Sequence, residues 1–199
     1  IAAISANTIA QLSTTQISRL STAQITALTN TQIKALTTDQ VMALTEDQIK
    51  GLEAADIAVL STAQVRALND TQLDQFNSQQ IQALNKSAVA SLTTDQMMGL
   101  DNTQIKALTS DQVKVLTSSQ LAKLNATQVA EIQPDSVGKL SDDQLKGLSS
   151  DQVGALSGTQ VAKLETTDLA KLSTTAIANL SSAQTRSLTT DQVAALSTA

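Results

Sequence analysis

Apolar residues recur along this chain with a period of eight. Aligning the sequence on its leucines gives 24 contiguous octads from Ser5 to Leu196, without an insertion or a deletion. Within each octad, position 8 is Leu in 22 cases, the exceptions being Phe76 and Ile132. Position 5 is apolar in 23 octads, the exception being Thr185. Two positions per octad therefore supply the predicted core.

The polar positions of the octad carry the start signals of a short helix. The consensus reads [Ser/Thr/Asn]-Thr-[Asp/Thr]-Gln-[Ile/Val]-x-Ala-Leu, with Ser, Thr, Asn or Asp at position 1 in 21 octads and Gln at position 4 in 18. This is the spacing of a capping box, and the preceding Leu with the apolar position 5 has the spacing of a hydrophobic staple. Pro134, the single proline, falls at position 2, the first helical residue, where proline is well tolerated.

Two other backbones fit the octad poorly. In a continuous helix the apolar stripe would rotate by roughly 80° per octad, because each residue advances by about 100°. In a β-strand, positions 5 and 8 would lie on opposite faces, and few turn residues are present. We therefore predict an all-α fold, an α-solenoid of short capped helices with one helix per eight-residue repeat.

The number of octads per coil stays open between two, three and four. Gly51, Gly99 and Gly147 recur at position 7 every 48 residues, which is compatible with two, three or six octads. We predict that residues 1–199 form a single repeat array, with the octads at 5–196. Because the repeat is open at both ends, we expect this array to be a fragment of a longer one.

Composition and charge narrow the chemistry. Cys, His, Trp and Tyr are absent, so imidazole and thiolate chemistry and the usual zinc and haem ligands are missing. We expect no enzyme activity, and we assign no catalytic, cofactor-binding or metal-binding residue and no cofactor. A net charge of −5 argues against nucleic acid as a partner. No apolar run approaches the roughly 18 to 20 residues of a membrane span.

Charged residues follow the octad as well. Acidic residues lie at positions 1 to 4 in 16 of 18 cases, and 12 of 13 basic residues lie at position 6 or 7, the polarity that a helix dipole favours. The pairs Glu46-Asp47 and Asp142-Asp143 are therefore predicted to be first-turn acids. The lysines at positions 6 and 7 are predicted to form a solvated face, and the threonines at positions 1 to 3 to be caps more than an ice-binding array.

The Gln at position 4 has two candidate roles. It could form a ladder of stacked amides inside the solenoid, or its side chain could return to the backbone N–H of its own N-cap residue. Capping is the predicted role, because Asp56 and Asp168 replace Gln at this position and Asp also suits a helix start.

The octads Thr37–Leu44 and Thr189–Leu196 follow the pattern LTTDQ[IV]xAL, and Thr93–Leu100 follows it except at Met97 and Gly99. This pattern resembles tandem octapeptide arrays in very large surface and adhesin-like proteins of proteobacteria, which are often labelled haem utilisation or adhesion proteins. The resemblance covers Ser5 to Leu196 and implies an extracellular or cell-surface location. The haem label gains no support, because His, Cys and Tyr are absent.

These observations lead to two hypotheses on function. The first is a non-enzymatic extracellular structural scaffold, used as a stalk, filament or sheath of a bacterial surface. The alternative is a repeat binding module or adhesin that recognises a protein or glycan along one solenoid face. The expected partners are further copies, through self-association into a filament, or the continuation of a longer repeat array. A surface protein or glycan is a further candidate, with no nucleic acid and no membrane span.

Overall fold

Each octad forms one short α-helix, as predicted. The computed structural model describes residues 1–196, and within that range it contains helices of four to seven residues and no β-strand. The chain divides into two compact units, Ile1–Leu100 and Asp101–Ala199. None of the helices in the described range is long and apolar enough to cross a membrane.

The helices of each unit follow one another at octad spacing. Helices α1 to α12 of the first unit span Ala6–Ala10, Thr14–Ser18, Thr22–Thr26, Asn30–Ala35, Thr38–Met42, Glu46–Gly51, Ala54–Ala58, Thr62–Ala67, Asp70–Leu73, Ser78–Ala83, Lys86–Ser91 and Thr94–Gly99. Helices α13 to α24 of the second unit span Asn102–Ala107, Ser110–Lys114, Ser118–Lys123, Ala126–Glu131, Pro134–Val137, Asp142–Lys146, Ser150–Ala155, Gly158–Lys163, Thr166–Leu169, Thr174–Ala178, Ser182–Ser187 and Thr190–Leu196.

The predicted capping box starts most of these helices. At α5, the Gln40 backbone N–H donates to the Thr37 hydroxyl at 3.2 Å, and the Thr37 N–H donates to Gln40 Oε1 at 2.9 Å. Where the C-cap residue is the Leu at position 8, as in α6, the helix ends where the backbone becomes extended. Leu52, for example, has φ −66° and ψ 132°, and Glu53 after it has φ −78° and ψ 161°. Two extended residues therefore form the corner between consecutive helices. No residue in the described range has a positive φ.

Three octads complete one coil in each unit. In the first unit α1 packs on α4, α4 on α7 and α7 on α10, and the helices between them follow the same step of three. In the second unit α13 packs on α16, α16 on α19 and α19 on α22. Each unit is therefore a three-sided solenoid segment, which decides among the two, three or four octads that the sequence leaves open.

The core of each unit consists of positions 5 and 8, as predicted. Ile49, Ile57 and Val153 are fully buried at position 5, and Phe76 replaces Leu at position 8 with an exposure of 3%. In the last coil the same positions are open, because no further coil covers them in the described residues. Val193 at position 5 is 52% exposed.

Neighbouring coils touch where position 7 of one octad meets position 2 or 3 of the octad three units before it. A Cβ on Gly51 would overlap the methyl group of Thr22, and a Cβ on Gly147 would lie 3.4 Å from the Cβ of Ser118. Gly99 has no neighbour within 4 Å of such an atom. The 48-residue recurrence of these glycines therefore does not mark one shared packing requirement.

Candidate functional site: glutamine hydrogen bonds between coils

The glutamines at position 4 lie between successive coils. Apart from Gln16 and Gln24 in the first coil, which are exposed, they are almost completely buried, with exposures of 1 to 5%. The glutamines that donate from Nε2 to a preceding coil of their own unit are Gln32, Gln40, Gln48, Gln64, Gln72, Gln80 and Gln96 in the first unit and Gln144, Gln152, Gln160, Gln184 and Gln192 in the second.

Each of these amides joins three backbone groups. In α19, Gln152 Oε1 accepts from the backbone N–H of Ser149 at 2.8 Å, which is the predicted capping role. Its Nε2 donates to the carbonyl oxygens of Leu121 at 3.0 Å and Leu124 at 2.7 Å, in the preceding coil. The capping prediction is confirmed, and the bond between coils is a second role that the sequence analysis did not predict.

The acceptors are two carbonyls at the C-terminal end of a short helix. The position 8 carbonyl is left open by the helix, whereas the position 5 carbonyl already accepts from the backbone N–H of position 8, as Leu121 does from Leu124 at 3.2 Å. The last carbonyls of a helix have no intrahelical donor, and they carry the negative end of the helix dipole. The amide donates to the carbonyls of positions 5 and 8 of the octad four units before it, at distances of 2.8 to 3.3 Å and 2.6 to 2.9 Å. One side chain thus supplies donors to the end of one helix and an acceptor to the start of another.

Where Gln is replaced, a neighbouring side chain can take over the bond. Ala88 has no amide, but Asn85 at position 1 of the same octad donates from Nδ2 to the carbonyls of Ala58 at 3.3 Å and Leu60 at 3.1 Å. In the Pro134 octad, Gln133 Nε2 donates to the carbonyl of Lys106 at 3.2 Å. The contact between coils is therefore maintained with a different donor.

Two octads have a carboxylate in place of the amide. Asp56 and Asp168 accept from the backbone N–H groups of Glu53 at 3.0 Å and Glu165 at 2.7 Å, so the helix start is preserved. Burial raises the pKa of both carboxyls, and the hydrogen bonds from the backbone offset part of that effect. An ionised carboxylate has no donor to offer the preceding coil.

Ala176 leaves the bond between coils unmade. The carbonyl of Leu148 is the position 8 acceptor for this octad, and it accepts no hydrogen bond from any residue in the described range. Ala176→Gln should therefore stabilise the second unit by about 1 to 2 kcal/mol, through one or two new buried hydrogen bonds. Urea unfolding followed by circular dichroism measures the change.

Ala88→Gln is the matched control for that prediction. The position is the same in the octad, but Asn85 already donates to the carbonyl of Leu60, so the gain should be markedly smaller. Equal stabilisation by the two substitutions would show that the new amide acts through helix propensity or burial, and not through the bond between coils.

The predicted first-turn acids form ion pairs. Asp142 lies 2.8 Å from Nζ of Lys171 in the next coil, and this ammonium group holds the pKa of Asp142 below its usual value. Asp47 pairs with Lys50 on its own helix at 3.9 Å. Between residues 1 and 196, no three acidic side chains are grouped so that they could hold a metal ion. The position 7 lysines therefore include contacts between coils as well as solvated groups.

Five stretches of the chain, residues 26–54, 49–86, 89–126, 129–166 and 161–198, match one family, described as the ALTTAQ repeat. The chain belongs to the ALTTAQ repeat family. No curated protein matches it. The letters of the family description correspond to positions 7, 8 and 1 to 4 of the octad, as in Ala35-Leu36-Thr37-Thr38-Asp39-Gln40. In this chain these six letters therefore span the corner between two helices and include the Gln that links the coils.

Proposed function

We propose that this ALTTAQ repeat chain is a non-enzymatic structural scaffold, an extracellular stalk, filament or sheath component of a bacterial surface. The proposal rests on one observation. A buried glutamine at the corner between helices forms hydrogen bonds to the preceding coil, and the same hydrogen bonds recur along each unit. In Gln152, a single amide holds both the start of its own helix and the end of a helix in the coil before.

This arrangement resists separation of the coils. Opening the contact beneath Gln152 exposes the carbonyls of Leu121 and Leu124 together with aliphatic side chains at positions 5 and 8. The same free-energy cost of separating two coils recurs at most corners. Resistance to separation is therefore distributed along each unit and is not concentrated in one site. Distributed resistance suits a protein that bears load or spaces other components.

The proposed location can be tested on the source bacterium. Antibodies raised against the purified chain should label intact, unpermeabilised cells, and deletion of the gene should remove a layer or appendage seen by cryo-electron microscopy of the cell envelope. Labelling that requires lysis would contradict the surface location. An unchanged envelope after deletion would contradict the scaffold.

The second candidate is a repeat binding module that recognises a protein or glycan along one side of the coils. The observation that favours it is an uneven charge distribution in the first unit, where the stacked octads of α3, α6, α9 and α12 carry several exposed acids and a single basic residue, Lys50. The acids are Glu46, Asp47, Asp70, Asp74 and Asp95. A module using this side would select a cationic partner, so neutralising the five acids should abolish capture while the scaffold readouts stay unchanged.

We propose that the scaffold is extended either by self-association of copies into a filament or by the continuation of a longer repeat array. The end coils of a solenoid expose the surface that internal coils bury, so one copy offers another the same kind of contact. The contact would join different surfaces of the two copies, and such contacts extend into filaments unless the geometry closes a ring.

A further inference from the structure

Two octads combine a carboxylate at position 4 with a second carboxylate at position 1. They contain Glu53 with Asp56 and Glu165 with Asp168, and no other octad has Glu at position 1 or Asp at position 4. A neighbouring like charge disfavours the ionised form of a carboxyl group, and burial disfavours it further. The joint occurrence of the two acids in both octads therefore points to a positive charge that compensates them.

Asp56 is buried, and one of its carboxylate oxygens is unused. The residue is 4% exposed, and its Oδ2 accepts from the backbone N–H of Glu53 at 3.0 Å. In the described range Oδ1 has no hydrogen-bond partner, and the carboxylate has no ion-pair partner. Burial raises the pKa of Asp56, and the nearby carboxylate of Glu53 acts in the same direction. No basic side chain offsets these two effects.

The repeat shows which carbonyls face Asp56. Gln48 and Gln64, one octad before and one octad after, donate to the position 5 and position 8 carbonyls of the octad four units earlier, at 2.7 to 2.9 Å. The corresponding carbonyls for Asp56 are those of Ile25 and Leu28. The Ile25 carbonyl accepts from the backbone N–H of Leu28 at 3.0 Å, whereas the Leu28 carbonyl has no donor among the described residues. A carboxylate therefore stands against carbonyl oxygens where the neighbouring octads place an NH₂ group.

We propose that Asp56 and Glu53 bind a hard cation of the calcium class between two coils. The carbonyl oxygens of Leu28 and Ile25 are the other protein ligands, and water supplies the rest. Calcium suits this set because it takes roughly six to eight oxygens at about 2.3 to 2.6 Å in flexible geometry, whereas magnesium demands a near-ideal octahedron. Asp is one methylene shorter than Gln, which leaves space for an ion in place of the amide N–H donors. The ligands come from separate coils, so their spacing along the chain does not reveal the site.

The second octad of this kind provides an internal comparison. Asp168 is 8% exposed, and burial raises its pKa, but the ammonium group of Lys139 acts in the opposite direction. The nearby carboxylate of Asp142 is itself paired with Lys171 at 2.8 Å. Ammonium groups of the protein thus already supply part of the positive charge. We therefore expect Asp168 to bind calcium more weakly than Asp56.

Isothermal titration calorimetry with calcium chloride tests the site. The native chain should bind calcium with a Kd of about 10⁻⁴ to 10⁻³ M, and magnesium at least about tenfold more weakly. Asp56→Asn keeps a capping oxygen but removes the charge, so it should weaken calcium binding by at least about tenfold, and Glu53→Ser should also weaken it. Asp168→Asn should have a smaller effect than Asp56→Asn. Asp39→Asn removes an exposed acid of the first unit and should leave calcium binding unchanged.

Thermal unfolding provides a second readout. Calcium at about 10 mM should raise the Tm of the native chain by at least about 3 °C relative to EDTA. Asp56→Gln, which introduces the residue usual at position 4, should remove most of this shift and unfold no earlier than the native chain in EDTA. A calcium response retained in both Asp56 variants overturns the site, as does a native chain that binds no calcium at this concentration. An equal loss of binding in Asp39→Asn would show that calcium only screens surface acids, and also overturns the site.

Discussion

Gln152→Glu should destabilise the second unit by about 2 to 5 kcal/mol at neutral pH. The carboxylate still accepts from the Ser149 N–H, but it offers no donor to the carbonyl oxygens of Leu121 and Leu124, which lie 3.0 and 2.7 Å from the native amide nitrogen. The Leu124 carbonyl loses its donor, the Leu121 carbonyl keeps only the backbone N–H of Leu124, and a charge is buried beside them. Urea unfolding measured against pH gives the effect.

The pH dependence of this variant has a definite sign. Burial beside two carbonyls should raise the pKa of the introduced carboxyl above its unfolded value, as burial does for Asp56 and Asp168. A raised folded-state pKa stabilises the fold below the unfolded pKa of about 4.3, and this contribution is lost as the pH rises through the folded pKa. The protonated acid can also donate to one carbonyl. The deficit relative to the native chain should therefore shrink on acidification.

Gln24→Glu is the control with the same chemistry. It occupies the same octad position and caps Ser21 in the same way, but it is exposed and its amide nitrogen has no acceptor in the described residues. Its effect should stay within about 0.5 kcal/mol at all pH values. Equal losses in Gln152→Glu and Gln24→Glu would contradict a role for the buried amide nitrogen between coils.

The local structure of each octad was predictable because its signals act within a few residues. Cap, N3 partner and staple lie close in sequence, so the octad specifies its own helix. The octads without a capping residue also show that these signals are local. The octads that lack Ser, Thr, Asn or Asp at position 1 begin with Glu53, Gln133 and Glu165, and the structure shows no side-chain cap hydrogen bond from these residues.

The number of octads per coil was not predictable from the same signals. Nearly identical octads place nearly identical side chains on every neighbour, so the sequence does not distinguish a contact at two, three or four units. The angle between consecutive helices decides the number of octads per coil, and extended residues such as Leu52 and Glu53 set that angle. That angle depends on packing between coils, which no single octad contains.

The bond between coils did leave a signal in the sequence. A capping box accepts Glu or Gln at N3, yet position 4 is Gln in 18 octads and Glu in none. Capping needs an acceptor, which both side chains have, whereas the carbonyls of the preceding coil need a donor, which Glu lacks when ionised. The absence of Glu therefore indicates that the amide nitrogen is used as well as the capping oxygen.

Leu108→Ala should cost about 2 to 5 kcal/mol, through lost burial and the cavity left at position 8. Leu108 is 2% exposed, and position 8 side chains form the core of the second unit. Lys106→Ala, two residues earlier, should change stability by less than about 0.5 kcal/mol, because its side chain is 63% exposed and its ammonium group lies 3.9 Å from Glu131. Thr109→Ala removes the N-cap that accepts from the Gln112 N–H at 3.2 Å and should cost about 1 kcal/mol. Denaturant unfolding of the three variants should therefore rank them in the order core, cap and surface. A loss at Lys106 equal to that at Leu108 would contradict the assignment of positions 5 and 8 as the source of cohesion between octads.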